Sequence, residues 1–138
     1  MHRIVIFVVL TALVVGIAFF LRRRGTEAPT QRRWAVPDQL DRDDFDGPGA
    51  PWLIAVFTSA TCQSCAEAVG KAAPLAGANV VVQEVQLDAG GDLHRRYNIE
   101  AVPTLVVADA EGVVRASYVG PPPADELWAV VAQVRDAG

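Results

Sequence analysis

The sequence predicts an α/β domain built on a central mixed β-sheet flanked by helices and preceded by one N-terminal transmembrane helix. Three observations carry this expectation. The run "IVIFVVLTALVVGIAFFL", Ile4 to Leu21, holds no charge and only Thr11 and Gly16 interrupt its strongly apolar character. Behind it, short β-rich runs alternate with helix-prone segments in the order strand, helix, strand, helix, strand, strand, helix. The chain has 138 residues, 51% of them hydrophobic, which suits one compact domain and a short appendage.

The first element is the apolar run, whose eighteen residues rise about 1.5 Å each to reach roughly 27 Å, close to a bilayer core of about 30 Å. A cleaved signal peptide is the rival. Its core is usually about 7 to 15 residues long, and "FFLRRRG" puts arginines where small residues precede a cleavage site. Residues 1–35 carry six arginines (Arg3, Arg22, Arg23, Arg24, Arg32, Arg33) against Glu27, a net of +5; Lys71 and five further arginines against fifteen acids leave −9 for the rest. One arginine precedes the run and five follow it, so the positive-inside rule places the C-terminal domain on the cytoplasmic side, the extracytoplasmic side being the alternative. The expected organisation is an anchor over residues 1–24, a polar linker over 25–37 and the domain over 38–138. Trp34 rests at headgroup depth, or else packs on the domain or has no role. The domain's acidity repels phosphate backbones and excludes nucleic acid as a partner.

Within the domain, "DQLDRDDFDG" reads as a short, mostly exposed helical turn ending at Gly47-Pro48-Gly49. "WLIAVFT" is a continuous apolar strand covered on both faces. "CQSCAEAVGKAA" is Ala-rich and helical until Pro74 and Gly77, and "NVVVQEVQL" is a second buried strand. "GGDLHRRYNIE" allows a short helix. "PTLVVAD" and "VVRASYVG" form a hairpin across "AEG", where Gly112 can take a positive φ. "PADELWAVVAQV" closes the chain as a helix with acids in its first turn and Leu127, Val130, Val131 and Val134 at core spacing. Trp52 and Trp128 are assigned to the core, with Phe57, Tyr97 and Tyr118.

Both cysteines, Cys62 and Cys65, lie in a C-x-x-C at the junction of the first strand and its helix, the setting a redox dithiol requires. Zinc commonly needs four protein ligands, and the domain offers only His94, read as an exposed side chain on a polar helix; no metal site is expected. A purely structural disulfide over so small a loop constrains the unfolded chain little.

From about Trp52 to Val134 the sequence resembles the thioredoxin family, in "VFTSATCQSC" at the active-site position, in "YNIEAVPTLVV", and in "YVG" with Gly120 before the last helix. The resemblance implies a thioredoxin-like fold and a redox-active Cys62–Cys65 disulfide, with no other cofactor. Cys62 is then the nucleophile, favoured as thiolate at a helix N-terminus, and Cys65 the resolving thiol. It also implies that Val102 and Pro103 form a cis-proline loop that positions substrate; an ordinary trans-proline opening the strand is the alternative. The sequence departs from the family at Thr61, where a tryptophan is usual, and at Gln63-Ser64, where Gly-Pro is usual, which leaves the redox potential open. Val56 stands where many members bury an aspartate, and Glu84 on the neighbouring strand is the candidate proton acceptor in its place, an ordinary solvated glutamate being the other reading. The expected activity is disulfide reduction in protein substrates by a membrane-tethered oxidoreductase, fed by a thioredoxin-reductase-like donor if the domain is cytoplasmic. The alternatives are an extracytoplasmic exchange protein and a redox-inactive binding module. Arginine outnumbers lysine eleven to one, which suggests a GC-rich bacterial genome.

Overall fold

Four strands form one sheet in the order β2-β1-β3-β4: β1 (Trp52–Thr58), β2 (Val80–Gln86), β3 (Thr104–Ala108) and β4 (Val114–Val119). The computed structural model describes residues 1–23 and 34–137. The chain divides into two units, Met1–Arg33 and Trp34–Gly138. Most of the expected linker over 25–37 lies outside the described residues.

In the first unit, α1 spans His2–Arg23. Its described apolar side chains, among them Ile4, Phe7, Leu10, Leu13 and Ile17, are exposed. Among the described residues, no helix is long and apolar enough to cross a membrane. The transmembrane span expected over Ile4–Leu21 is therefore not shown. The apolar stretch whose side chains are described ends at Ile17, short of the roughly 20 residues a span takes.

In the second unit, β1 pairs in parallel with β2, from Trp52 opposite Val80 to Thr58 opposite Gln86. On its other side it pairs antiparallel with β3, from Leu53 opposite Ala108 to Phe57 opposite Thr104. β3 and β4 form the expected hairpin, with Gly112 at φ +81° in its turn. The sheet is mixed, as the sequence led one to expect. β1 is uniformly apolar because both its faces are covered. Leu53, Ala55 and Phe57 meet Leu40, Phe45 and Tyr97. Ile54 and Val56 meet Ala68 and Ala72 of α2 (Cys65–Ala72) and Leu127 and Val131 of α4 (Ala124–Ala137). The helix α3 (Leu87–Arg96) brings Leu93 and the following Tyr97 and Ile99 to the first of these faces.

The structure corrects four expectations. The turn Arg42–Asp44 is not mostly exposed at its flanks, since Leu40 and Phe45 are core residues at 1% and 4% exposure. β2 is an edge strand rather than a fully buried one; Val80 and Val85 are buried while Glu84 and Gln86 are exposed. His94 is buried, its ring meeting Phe57 edge-on at 5.2 Å. Trp128 leaves the core, being 46% exposed, because it follows Leu127 on the helix and so falls on the flank of the buried stripe; its indole N–H donates to the Lys71 carbonyl at 3.0 Å.

Candidate functional site

The strand directions fix where chemistry gathers. β1 delivers its C-terminal residue, Thr58, to one end of the sheet, and β2 runs parallel to it. β3 starts at that end, because Phe57 lies opposite Thr104. β4 finishes there, with Val119 opposite Thr104. The turn 59–64, the loop 101–103 and Gly120 therefore meet at one edge of the sheet.

In the turn, the Cys62 amide donates to the Ser59 carbonyl at 3.2 Å. Cys62 and Cys65 form a disulfide, with their Cα atoms 5.5 Å apart. Cys65 opens α2 and is buried at 4% exposure, under the sheet face that carries Val56; Cys62 is partly exposed. Cys62 is thus the more accessible residue of the pair, while Cys65 is shielded. Cys62 was expected on the helix itself. It sits instead in the turn ahead of it, and Ser64 holds the N-cap position. That serine makes no capping hydrogen bond through its side chain. Its Oγ lies 3.9 Å from the Cys62 Sγ.

The Val102–Pro103 peptide bond is cis. Pro103 is buried and Val102 partly so. Two hydrogen bonds hold this loop: Thr104 Oγ1 donates to the Ala101 carbonyl at 2.8 Å, and the Gly120 amide to the Pro103 carbonyl at 2.8 Å. Gly120, at φ +92°, is thereby tied to the cis-proline loop.

Glu84 lies on β2 opposite Val56. Its carboxylate accepts the Thr58 hydroxyl at 2.8 Å and the Gln86 amide at 3.4 Å. Thr58 is the last residue of β1, so Glu84 reaches the root of the cysteine turn through it. The groups whose ionisation is displaced lie elsewhere. Burial, then the Asp44 carboxylate, pushes Tyr97 up to about 12. Burial also raises Asp109, but Arg115 and the Val113 and Glu111 amides outweigh it and hold that carboxyl below its ordinary range.

Among the described residues, no group of three or more His, Cys, Asp or Glu side chains is placed to hold a metal ion. A cleft of about 480 Å³ lined by Trp52, Asp109, Glu111 and Arg115 lies at the opposite end of the sheet from the dithiol, and its Arg115 is already paired with Asp109 at 2.6 Å. Reading by motif singled out the cysteines, Glu84 and Pro103, but passed over Ser64 as part of a variable dipeptide. The available signal was a hydroxyl residue directly before a helix, two positions from the reactive cysteine.

Residues 39–135 match the sequence profile of a thioredoxin-like domain. No curated protein matches the chain. Among solved structures, thioredoxin-2 of the malaria parasite, a component of that organism's protein secretion machinery, is similar over 60% of this chain and 82% of its own, at 19% identity and a TM-score of 0.55. A thioredoxin of Malassezia sympodialis is similar over 61% and 76%, at 22% identity and a TM-score of 0.51. StoA of Bacillus subtilis is similar over 60% and 83%, at 18% identity and a TM-score of 0.50. At these identities the likeness is one of fold.

Proposed function

Because this chain belongs to the thioredoxin-like domain family, we propose that it is a thiol-disulfide oxidoreductase that reduces disulfides in protein substrates. The observation that carries this reading is the asymmetry of the pair: a disulfide between one partly exposed cysteine and one buried cysteine, at the junction of β1 and α2. In the working cycle the dithiol form attacks. The Cys62 thiolate displaces one sulfur of the substrate disulfide, which leaves as a thiolate and takes a proton. Cys65 then loses its proton and attacks the Cys62 sulfur of the mixed disulfide, releasing the second substrate thiol. Two electrons pass to the substrate and the protein is left as the Cys62–Cys65 disulfide. Glu84 receives the Cys65 proton in this scheme, its carboxylate standing at the root of the cysteine turn through the bond it accepts from the Thr58 hydroxyl. Glu84→Gln then slows the resolving step, and unchanged kinetics across pH remove Glu84 from the scheme. Val102 and Pro103 align the substrate backbone.

The uncharged run Ile4–Leu21 and its arginine flank support a single-pass tether to the cell membrane, with the domain on the cytoplasmic side and a thioredoxin-reductase-like flavoprotein as electron donor. Tethering raises the effective concentration of dithiol near membrane-adjacent substrates.

The test is made on the full chain with a fluorescent peptide closed by one disulfide. The wild type turns it over with dithiothreitol as reductant. Cys62→Ser abolishes turnover, and Cys65→Ser accumulates the mixed disulfide. A potential near about −270 mV against glutathione supports a reductase, whereas one near about −120 mV points to an oxidant outside the membrane. No exchange at all overturns the enzymatic reading in favour of a binding module.

A further inference from the structure

We propose that the outer edge of β2 is a self-pairing surface: two copies of this chain join there, β2 against β2, antiparallel about a two-fold axis at Gln83. The inference is independent of the oxidoreductase reading above.

Its first support is the direction of the backbone groups. The Trp52 amide of β1 bonds to the Asn79 carbonyl at 3.0 Å, whereas the Val80 amide and carbonyl both bond to Gly77. Residues of a strand turn these groups to alternate sides. Val81, Gln83 and Val85 therefore face β1, and Val82 and Glu84 turn their N–H and C=O groups outward. Among the described residues no strand pairs with that edge. Such an edge is a template for another strand, and proteins guard it with Lys, Pro or a bulge. β2, "VVVQEVQ", has none of these, and its register with β1 is unbroken. Its one charge, Glu84, does not stand guard, because the Thr58 hydroxyl of β1 draws the carboxylate inward at 2.8 Å. The β4 edge is different. The strap holds its start at Val113 and Val114, Arg115 stands on it, and the β3–β4 register shifts at Val107/Ala108.

The second support is register, which selects a second copy as the occupant. An axis at Val82 sets Glu84 against the partner's Val80, whose groups Gly77 already holds. An axis at Glu84 sets two carboxylates directly opposite each other, which is destabilising. An axis at Gln83 sets Val82 against the partner's Glu84 and Glu84 against the partner's Val82, so every free outward group on both strands is paired. Gln83 then meets its own copy in the close, non-hydrogen-bonded position of the ladder. Its side-chain oxygen accepts the Asp46 amide at 2.7 Å, and among the described residues its NH₂ group has no acceptor. Two such amides across a two-fold axis donate to each other, a reciprocity that an isologous contact requires. The joined edges turn two four-stranded sheets into one of eight. Because β1 and β2 run parallel toward the cysteine turn, the two dithiols lie at opposite ends of that sheet and both stay open.

The experiment uses the full chain in excess detergent micelles. Sedimentation equilibrium is expected to show a concentration-dependent dimer. Val82→Pro removes an outward N–H, a change that an edge strand accepts, and is expected to weaken the dimer at least tenfold while turnover of the disulfide peptide is unchanged. A cross-link reads the register separately, so the inference stays testable if Val82→Pro fails to fold. In a Cys62→Ser/Cys65→Ser background, Gln83→Cys is expected to oxidise to a linked dimer. Val81→Cys is expected not to, since its copy lies four residues, about 13 Å, along the ladder and a disulfide spans at most about 7 Å. Three results overturn the inference: a monomeric wild type; a dimer that Val82→Pro leaves intact, the mark of association through α1; or Val81→Cys linking as readily as Gln83→Cys. A monomer whose Val82 and Glu84 amides are protected from exchange only by an added extended peptide assigns the edge to a different partner and also overturns it.

Discussion

Gly112 shows how much of this domain rests on single positions. Its φ of +81° is one that side-chain-bearing residues rarely adopt, and a Cβ built there would stand 2.0 Å from the Leu40 carbonyl oxygen. The obstacle is backbone, itself fixed by the Leu40 amide donating to the Gly112 carbonyl at 2.8 Å. Gly112→Ala is expected to destabilise the domain by at least about 1–3 kcal/mol, read as a lower denaturant midpoint at unchanged slope. Tyr97 makes a different commitment. Its hydroxyl donates to the Asp44 carboxylate and accepts from the Asp41 amide at 3.0 Å. Burial, then Asp44, raises its pKa from 10.0 to about 12. The sign follows: the folded state holds the phenol proton more tightly than the unfolded chain does. Stability from this group is whole below pH 10 and is lost as pH rises toward 12. Tyr97→Phe is expected to flatten that alkaline decline in thermal melts between pH 9.5 and about 12, while lowering stability at neutral pH. An unchanged alkaline slope contradicts the assignment.

At the scale of elements, the segment 38–45 behaves as a strap. The Val114 amide donates to the Asp38 carbonyl at 3.0 Å, Gln39 bridges Val113, and the buried Arg42 donates to the Asp109 carbonyl at 2.8 Å. Arg96 on α3 reaches Asp41 at 3.0 Å. Leu40 and Phe45 are thereby pressed onto the sheet. Leu40→Ala is expected to cost about 2–5 kcal/mol, as for other core truncations, measured by denaturant unfolding. The sequence made β1 legible through its unbroken apolar run, and the hairpin through Gly112, because both signals are local. It left the strap looking like an acidic turn, since five of its neighbours are acids and the surface that buries Leu40 and Phe45 comes from later elements, Leu53, Ala55 and Phe57 of β1, Tyr97 after α3 and Val106 of β3. His94 was misread for the same reason, its covering ring being Phe57 on β1. The cysteine pair and Pro103 could be picked out from their motifs. The orientation of the Ser64 hydroxyl could not, because a rotamer is decided by neighbours rather than by spacing.

At the scale of the molecule, the domain is acidic around its dithiol. The residues after Ala35 carry −9, and acids stand at both ends of the sheet: Glu67, Glu84, Glu100, Asp125 and Glu126 on the strand ends, helix starts and loops beside the dithiol, and Asp109 and Glu111 at the other end. Arg115, the second residue of β4, is paired with Asp109 at the far end, and Arg135 lies in the last turn of α4. A cationic disulfide is therefore drawn to Cys62 and an anionic one repelled. Exchange of the full chain with cystamine is expected to outpace exchange with oxidised glutathione several-fold at about 10 mM salt, and the ratio to fall at about 300 mM, where screening is within roughly 6 Å. A ratio insensitive to salt argues against steering.

The strap has a mechanical meaning as well. It joins the sheet beside Gly112 and Val113, where β3 ends and β4 begins, whereas Cys62 lies beyond the opposite end of β1. Seven residues of strand, about 23 Å, separate the two. The domain's own leading segment is thus fastened at its heel, and its chemistry lies at its toe. A pull on the leading chain is taken up by the Leu40–Gly112 and Asp38–Val114 backbone bonds and by Arg42. It does not pass through the cysteine turn, which lies beyond the opposite end of β1.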